Sequence, residues 1–251
     1  MSTRERLDVL LVTRELAPSR ERAQVLIRAG VVRVNDAPSD KPGTQVASDA
    51  RIQILENPIP WVSRGGLKLQ GALEEFGVDP TDRTALDIGA STGGFTDVLL
   101  HHGAARVLAV DVGYNQLVWK LRNDERVTVL ERVNFRKLRE LPAWEIVHAA
   151  HPTLIVCDVS FISLKLILPV ANEVMQHPGD IVTLVKPQFE VGRADVGKGG
   201  IVRDVAARER ALTDAVALAE RLGWTVQGTM ESPITGTKGN VEYLLHATTA
   251  E

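Results

Sequence analysis

The sequence has little cysteine and no long apolar run. Cys157 is the single cysteine among 251 residues, so an internal disulfide is excluded and a reducing compartment is expected. The most apolar stretch, residues 164–171, contains Lys165 and Pro169 and is far shorter than the roughly 18 to 20 apolar residues of a membrane span. The first six residues lead into an amphipathic pattern without the apolar centre of a signal peptide. Together these absences predict a soluble cytoplasmic protein.

Neither sign of charge dominates. The chain holds 29 Lys and Arg against 32 Asp and Glu, which gives a formal net charge of −3. This balance does not itself indicate a nucleic-acid partner, so any RNA or DNA binding must come from cations gathered on one face. The hydrophobic fraction of 44% is ample for a packed core and excludes a largely disordered chain.

Residues 1–57 have the pattern of a small unit of two helices followed by short strands. Leucines mark the first helix, Ser19 is placed to cap the second, and Gly30 is placed to end it. Residues 31–34 are a predicted strand, and Val46 and residues 52–55 are predicted to supply later short strands. Residues 58–62, which include two prolines, are predicted to form a short linker.

Residues 63–251 alternate between predicted strands and helices. The predicted strands are residues 84–88, 106–110, 127–130, 154–157 and 181–185, and the predicted helices are residues 95–102, 115–122 and 206–222. Two final strands, near residues 224–230 and 241–246, have a short connection that suits an antiparallel pair. The pattern predicts an α/β fold with a doubly wound, mostly parallel sheet and an antiparallel strand late in the chain.

A glycine-rich turn at residues 86–95 (Leu-Asp-Ile-Gly-Ala-Ser-Thr-Gly-Gly-Phe) joins a strand to a helix, where such sheets bind cofactors. It matches neither G-x-G-x-x-G nor a P-loop. Asp87 opens the turn and Asp111 ends the next strand, where a ribose would be held. This arrangement suits adenosine with a positively charged tail. The alternatives are a nucleotide-free turn in which Asp111 caps a helix, and a dinucleotide site.

Four charged residues form a second group: Lys68, Asp158, Lys186 and Glu242. Lys68 is in the first turn of a predicted helix, where a cation opposes the helix dipole. Asp158 and Lys186 each end a buried strand, and Glu242 starts an antiparallel one, so all four are expected at one edge of the sheet. Any one of them alone could be a surface ion pair. Together they could keep one lysine partly desolvated, so that its neutral amine removes a proton from a hydroxyl.

The histidines do not show the spacing of a metal site. They have no ligand spacing with Cys157, so we predict no bound metal. The six are His101, His102, His148, His151, His177 and His246.

The chain resembles the TlyA-type (hemolysin A-like) ribosomal RNA 2′-O-methyltransferases, relatives of the FtsJ/RrmJ ribose methyltransferases. The resemblance covers essentially the whole chain, and its ordered motifs are specific as a set. They are residues 63–68 (SRGGLK), 87–96 (DIGASTGGFT), 111–114 (DVGY), 158–164 (DVSFISL), 186–192 (KPQFEVG) and 239–243 (GNVEY).

The resemblance implies a Rossmann-like methyltransferase domain at residues 63–251, a linker at residues 58–62, and an RNA-binding domain of the type named after ribosomal protein S-four at residues 1–57. It implies a catalytic tetrad of Lys68, Asp158, Lys186 and Glu242, with Lys186 activating the ribose 2′-hydroxyl. S-adenosylmethionine is the implied cofactor. The residues implied to hold it are Asp87, Gly89, Ala90, Ser91, Thr92, Gly93, Gly94, Phe95, Asp111, Val112, Asn134, Phe135 and Asp158.

The implied partner is ribosomal RNA in ribosomal subunits. Phe161 is a candidate to pack against the target nucleotide, although a buried Phe is the commoner outcome. The candidate cationic contacts, each of which could equally belong to a solvated face, are Arg4, Arg6, Arg20, Arg22, Arg28, Arg64, Arg136, Lys137 and Lys198.

The family target is a cytidine ribose in large-subunit RNA, and longer members also modify small-subunit RNA. Because the sequence ends at Glu251, soon after its final predicted strand, we expect the large-subunit target. No segment resembles a pore-forming one. Two other functions remain open: a methyltransferase of small alcohols, and a non-catalytic ribosome-binding factor that holds S-adenosylmethionine only as a ligand.

Overall fold

The computed structural model describes residues 3–28, 30–55, 59–236 and 238–249. Contacts within the chain divide it into two compact units, Met1–Arg64 and Gly65–Glu251. The predicted linker begins at Pro58, which lies outside the described residues. No helix within the described ranges is long and apolar enough to cross a membrane.

The first unit packs two helices against short strands. Ser19 Oγ accepts the Arg22 N–H at 3.2 Å, and Gly30 is left-handed (φ +75°), as the sequence predicts for the start and end of the second helix. The core is lined by the apolar faces of both helices and by Val32 and Val46. In chain order the elements are β1 (Arg4–Arg6), α1 (Leu7–Thr13), α2 (Arg20–Arg28), β2 (Val32–Val34), β3 (Ala37–Pro38), β4 (Gln45–Ala47) and β5 (Ile52–Ile54).

The second unit is a seven-stranded sheet with helices. Its three short 3₁₀ turns are Phe135–Glu140, Leu164–Leu166 and Arg193–Asp195. The helices are α3 (Gly66–Phe76), α4 (Gly94–His101), α5 (Trp119–Arg122), α6 (Ala143–Ala150), α7 (Leu168–Val174), α8 (Pro187–Glu190) and α9 (Val205–Arg221). The strands are β6 (Thr84–Ile88), β7 (Arg106–Asp111), β8 (Val127–Glu131), β9 (Leu154–Cys157), β10 (Gly179–Val185), β11 (Trp224–Glu231) and β12 (Tyr243–Thr249).

The strand order is β11-β12-β10-β9-β6-β7-β8. Strands β10, β9, β6, β7 and β8 are parallel to one another, whereas β12 is antiparallel to both β10 and β11. The chain leaves β6 toward β7 and later returns to its other side at β9, so β6 and β9 flank the point where the order reverses. Ligands bind at this point in such sheets. The predicted fold class is confirmed.

Two predicted helices are shorter than the sequence suggests. The predicted helix at residues 115–122 is reduced to α5, because Asn115 is left-handed (φ +55°) and its backbone hydrogen-bonds to the Glu131 carboxylate instead. The leucine pattern of the first helix includes Leu16, but α1 ends at Thr13 because Glu15 is left-handed (φ +58°). Leu16 is consequently partly exposed.

Candidate active site

Four charged side chains meet at the edge of the sheet where the parallel strands end. Asp158 directly follows β9, and Lys186 directly follows the neighbouring β10. Tyr243 of β12 pairs with Val185 of β10, so Glu242, one residue earlier, lies level with Lys186. The first turn of α3 supplies Lys68. The structure therefore brings together all four residues that the sequence analysis grouped.

Cations and carboxylates alternate within this tetrad. Lys186 Nζ lies 2.5 Å from Asp158 Oδ1, and Lys68 Nζ lies 3.7 Å from the other oxygen of the same carboxylate. Lys68 Nζ also donates a hydrogen bond to Glu242 Oε2 at 2.6 Å. The lysine and Glu242 side chains are at most 9% exposed and that of Asp158 is 20% exposed, so water screens these charges weakly. Each charge is held by an opposite neighbour.

Ser160 is a further partner of Lys186 that sequence reasoning missed. Lys186 Nζ donates to Ser160 Oγ at 2.9 Å, in addition to its contact with Asp158. A neutral amine has two N–H groups and one lone pair. If the N–H groups point to Asp158 and Ser160, the lone pair is directed elsewhere and can accept a proton. The available signal was the position of Ser160, two residues after Asp158.

Helix α8, which follows Lys186 immediately, connects the loops of the site. Gln188 Nε2 donates to Glu242 Oε1 at 3.2 Å. Glu190 accepts a hydrogen bond from Ser163 Oγ at 2.6 Å, in the loop that follows β9. One short helix therefore fixes the loop of Glu242 and the loop that follows Asp158 relative to Lys186. Sequence reasoning missed both side chains, although their place directly after a strand-end lysine was a usable signal.

The glycine-rich turn lies against the strand end that carries Asp158. Gly89 has φ +87°, and a Cβ there would be 2.8 Å from the Asp158 carbonyl oxygen. Gly93 has φ +97°, and a Cβ there would overlap the Leu121 side chain and lie 2.7 Å from Leu117 Cδ1. Both positions require glycine, because a side chain would be strained and would push the turn away from its neighbours.

Asp111 stabilises the same turn. Its Oδ2 accepts the Ser91 N–H at 2.8 Å, and its Oδ1 accepts the Gly113 N–H at 2.6 Å. The alternative in which Asp111 caps the next helix is wrong, since the N-cap of α5 is Val118. The carboxylate instead joins the glycine-rich turn to the loop that follows β7.

Asp87 is fully buried beneath the turn. Thr96 Oγ1 donates to its Oδ2 at 2.6 Å, while its Oδ1 is buried and has no hydrogen-bond partner among the described residues. Burial raises the pKa of Asp87 to about 7, against the opposing effect of the Thr96 hydrogen bond. A buried carboxyl group with an unused oxygen, near Asp158, favours a cation at this place.

The other residues implied for the cofactor are divided between surface and interior. Val112 is 70% exposed and Asn134 is exposed, whereas Phe135 is packed into the hydrophobic core. Ser91 and Thr92 retain access to solvent in the turn. Three other residues of the glycine-rich turn are buried: Ala90, Gly94 and Phe95.

Tyr114 is an exposed aromatic residue that sequence reasoning did not select. The Arg132 guanidinium lies 4.2 Å from the centre of its ring, a cation–π arrangement. The pair joins the loops that follow β7 and β8 at the ligand edge of the sheet. An aromatic residue three positions after Asp111 was the signal.

Phe161 is exposed and close to the tetrad in sequence. It is 89% exposed, has φ +64°, and lies beside Phe189 with ring centres 5.1 Å apart. A left-handed backbone is uncommon for a bulky residue and marks a constrained position. The commoner outcome for a phenylalanine, burial in the core, does not apply to Phe161.

Two of the arginines selected for RNA contact pair with a buried carboxylate in the first unit. Asp8 is fully buried and accepts hydrogen bonds from Arg6 at 2.8 and 2.9 Å and from Arg20 at 3.0 Å. The Arg6 guanidinium holds the pKa of Asp8 far below its usual range. Arg6 and Arg20 nevertheless keep 42% and 52% of their side-chain surface exposed.

The other selected cations are less constrained. Arg22 donates to the carbonyl oxygens of Ile59 and Trp61, so part of its role is within the first unit. The rest are exposed: Arg4, Arg28, Arg64, Arg136, Lys137 and Lys198. Within the described ranges, no group of three or more His, Cys, Asp or Glu residues could hold a metal ion.

Comparison with known families gives matches over most of the chain. The model of the FtsJ-like methyltransferase family matches residues 61–249, and the model of the S4 domain matches residues 5–52. These two matches together span both compact units.

Individual relatives match at high identity. The 16S/23S rRNA (cytidine-2′-O)-methyltransferase TlyA of Mycobacterium tuberculosis is 48% identical over 98% of this chain and 90% of its own length. The 23S rRNA (cytidine-2′-O)-methyltransferase TlyA of Campylobacter jejuni is 39% identical over 74% of this chain and 70% of its own. A solved structure from Streptococcus thermophilus, described as a candidate hemolysin, has a TM-score of 0.76 and 43% identity over 100% of this chain and 90% of its own.

Proposed function

Because the chain belongs to the TlyA (hemolysin A-like) family of FtsJ-like methyltransferases with an S4 domain, we propose that it methylates the 2′-hydroxyl of a cytidine ribose in ribosomal RNA. The observation that carries the proposal is the buried tetrad, in which Lys186 Nζ contacts both Asp158 and Ser160. A lysine held in this way can take a proton from an alcohol.

The glycine-rich turn suits S-adenosylmethionine as the methyl donor. The turn approaches Asp158 too closely for any side chain at Gly89, and the unused oxygen of Asp87 is buried beside it. Carboxylates at Asp87, Asp111 and Asp158 fit a ligand that carries positive charge. We propose that these three hold it, together with Val112, Asn134 and the residues of the turn. When bound, this cofactor supplies a methyl group on a positively charged sulfur. The sulfur is a good leaving group because it becomes neutral when its bond to the methyl carbon breaks.

In the proposed reaction Lys186 acts as the general base. Its neutral amine accepts the 2′-hydroxyl proton while the oxygen forms its bond to the methyl carbon and the carbon–sulfur bond breaks. Asp158 stabilises the ammonium group that results. Ser160 restricts the rotation of the amine, and the Lys68–Glu242 pair keeps the carboxylate of Asp158 in place. Most of the rate enhancement then comes from positioning, with one proton transfer.

The RNA substrate is proposed to contact both units. We propose residues 1–57 as the RNA-binding domain, 58–62 as the linker and 63–251 as the methyltransferase domain, close to the compact units that divide after Arg64. Phe161 is proposed to pack against the target nucleotide, because its ring is exposed and supported by Phe189. The selected cations would contact phosphates.

Large-subunit RNA is the proposed target. Both of the named TlyA relatives act, by their names, on 23S rRNA, and only one of the two names also includes 16S rRNA. We accordingly propose the cytoplasm, where ribosomal subunits assemble and are modified, as the place of action.

The test is transfer of a labelled methyl group from S-adenosylmethionine to isolated, unmodified large and small ribosomal subunits. Lys186→Ala is compared with Lys165→Ala, because Lys165 is a half-exposed lysine that pairs with Asp214 at 3.6 Å. We expect label on a large-subunit ribose with the wild type and the Lys165 variant, and none with Lys186→Ala despite normal cofactor binding.

Other outcomes of this test discriminate the alternatives. Label on both subunits would contradict the large-subunit proposal. If Lys186→Ala transfers as much methyl group as the wild type, Lys186 is not the general base. No label from the wild type, with cofactor binding measured separately, would favour a small alcohol as the substrate or a non-catalytic role.

A further inference from the structure

A loop with several exposed cations borders the tetrad. This loop, residues 191–203 and here called the basic loop, begins directly after α8 and therefore five residues after Lys186. A bridge between Gly197 and Ile201 closes its tip. The basic loop leaves the site on the Lys186 side and returns toward the loop that carries Glu242.

Asn240 fixes the returning part of the basic loop. Its side chain is buried, its Oδ1 accepts the Val202 N–H at 3.0 Å, and its Nδ2 donates to the Gly200 carbonyl at 2.8 Å. Asn240 stands two residues before Glu242, and its own carbonyl accepts the Gly236 N–H at 2.8 Å. The basic loop is therefore bonded to the segment that supplies a tetrad residue.

The basic loop and the neighbouring Lys238 carry a net positive charge. Arg193, Lys198 and Arg203 are exposed along the basic loop, and the Lys238 ammonium lies beside it, 3.9 Å from where a Cβ on Gly200 would be. Among the residues that the structure describes, none of these four cations has an ion-pair partner. The one carboxylate of the basic loop, Asp195, pairs with Arg210 at 3.5 Å.

We infer that the basic loop and Lys238 form a phosphate-binding rim that holds the RNA backbone on either side of the target nucleotide. The inference rests on the proposed function and adds a surface to it. Of these cations the sequence analysis had selected Lys198 alone. A ribose that reaches Lys186 brings its two flanking phosphates to the border of the tetrad, where unpaired cations meet a dense line of negative charge. A small alcohol substrate carries no such charge, so the cations of the rim would have no phosphate to bind.

The tip of the basic loop also leaves room for a bulky polyanion. Gly199 and Gly200 are both left-handed, with φ of +82° and +78°, so the chain turns there without side chains that cover the backbone. Lys198 directly precedes this turn and the Lys238 ammonium lies near Gly200, so both flexible side chains can reach phosphates bound there.

The experiment compares two double variants that remove the same amount of charge. Lys198→Gln/Lys238→Gln alters the rim. Arg106→Gln/Arg221→Gln removes two exposed cations from the start of β7 and the end of α9, at the opposite edge of the sheet. Binding to isolated, unmodified large ribosomal subunits is measured across a series of potassium chloride concentrations, and methyl transfer and S-adenosylmethionine affinity are measured in parallel.

We expect the rim variant to bind large subunits about tenfold more weakly at roughly 0.15 M salt, because each lost phosphate contact removes about 0.7 from the slope of log K against log salt. Its KM for subunits rises by a similar factor, while its kcat and its affinity for S-adenosylmethionine are unchanged. The control variant should match the wild type in all four measurements.

Two results would overturn the inference. If the rim variant and the control variant have the same affinity and salt slope while the wild type methylates RNA, the rim is wrong and the proposed function stands. If the wild type neither binds nor methylates the subunits, both fail. A third result is possible, in which only the rim variant binds more weakly and the wild type binds subunits but transfers no methyl group. That result would support the phosphate-binding rim and refute the proposed reaction.

Discussion

The protonation of Asp87 gives a quantitative test of the site's electrostatics. Burial raises its pKa to about 7, so the folded protein holds a proton that the unfolded chain releases at lower pH. Stability should therefore fall as the pH rises from about 4 to about 7 and change little above that range, as far as this group is concerned. Asp87→Asn, which is neutral throughout, should lack this dependence.

The size of the effect follows from the shift. The pKa of Asp87 is raised from 3.8 to about 7, and each pKa unit corresponds to about 1.4 kcal/mol. Between pH values of about 5 and 8, linkage predicts a loss of roughly 2 to 3 kcal/mol in the free energy of unfolding of the wild type, relative to Asp87→Asn.

The assay is urea unfolding of the full chain followed by tryptophan fluorescence, at closely spaced pH values. Asp79→Asn serves as the control, because Asp79 is an exposed acid whose pKa is lowered by hydrogen bonds from Thr81. Its removal should leave the profile of the wild type unchanged in this pH range. If the profiles of wild type and Asp87→Asn are parallel from pH 5 to pH 8, Asp87 is ionised in the folded protein and the reasoning is refuted.

Three further predictions concern single side chains. Gly93→Ala should lower stability by about 1 to 3 kcal/mol through overlap with its neighbours, as thermal unfolding would report, whereas Gly192→Ala, with open space around it, should not; equal melting temperatures would contradict this. Burial raises the pKa of Cys157 to about 12, so a thiol reagent at pH 8 should label it only in denaturant, and rapid labelling of the native protein would be inconsistent with that burial. Gln188→Leu should lower kcat roughly tenfold through loss of its hydrogen bond to Glu242, about 1.4 kcal/mol, with cofactor affinity unchanged, and a parallel loss of that affinity would indicate a general disruption instead.

The central part of the second unit's sheet was predictable because strands β6, β7, β9 and β10 are buried on both faces. Leu154–Cys157 is an uninterrupted apolar run, and its bounds are the same in sequence and structure. Helix α7 was missed, since its apolar residues and Pro169 carry no periodic polar face. In the first unit, the short strand predicted at Val46 is β4, whereas β1 was missed. Strand β1 is only three residues long and pairs with β4 across about 40 positions, and so short a strand has no pattern to detect.

The tetrad was predictable because charged residues directly after buried strands must lie at one edge of the sheet. Its supporting contacts were not, because they depend on side-chain geometry. Ser160 is one of several hydroxyl residues in its segment, and only the fold shows that it meets Lys186. Asp8 is an acid in an ordinary helix pattern, and only the fold shows that it is buried and binds Arg6 and Arg20.

The contact between Lys68 and Glu242 has a consequence for biosynthesis. These residues are 174 positions apart, so one side of the tetrad comes from the first helix of the second unit and the other from the segment just before β12. During translation the amino-terminal unit can fold as soon as it emerges, because its contacts are local. The four charges of the tetrad meet only when β12 has been synthesised and has paired with β10. A nascent chain therefore completes its amino-terminal unit early, and the tetrad assembles only after residue 249 has been synthesised.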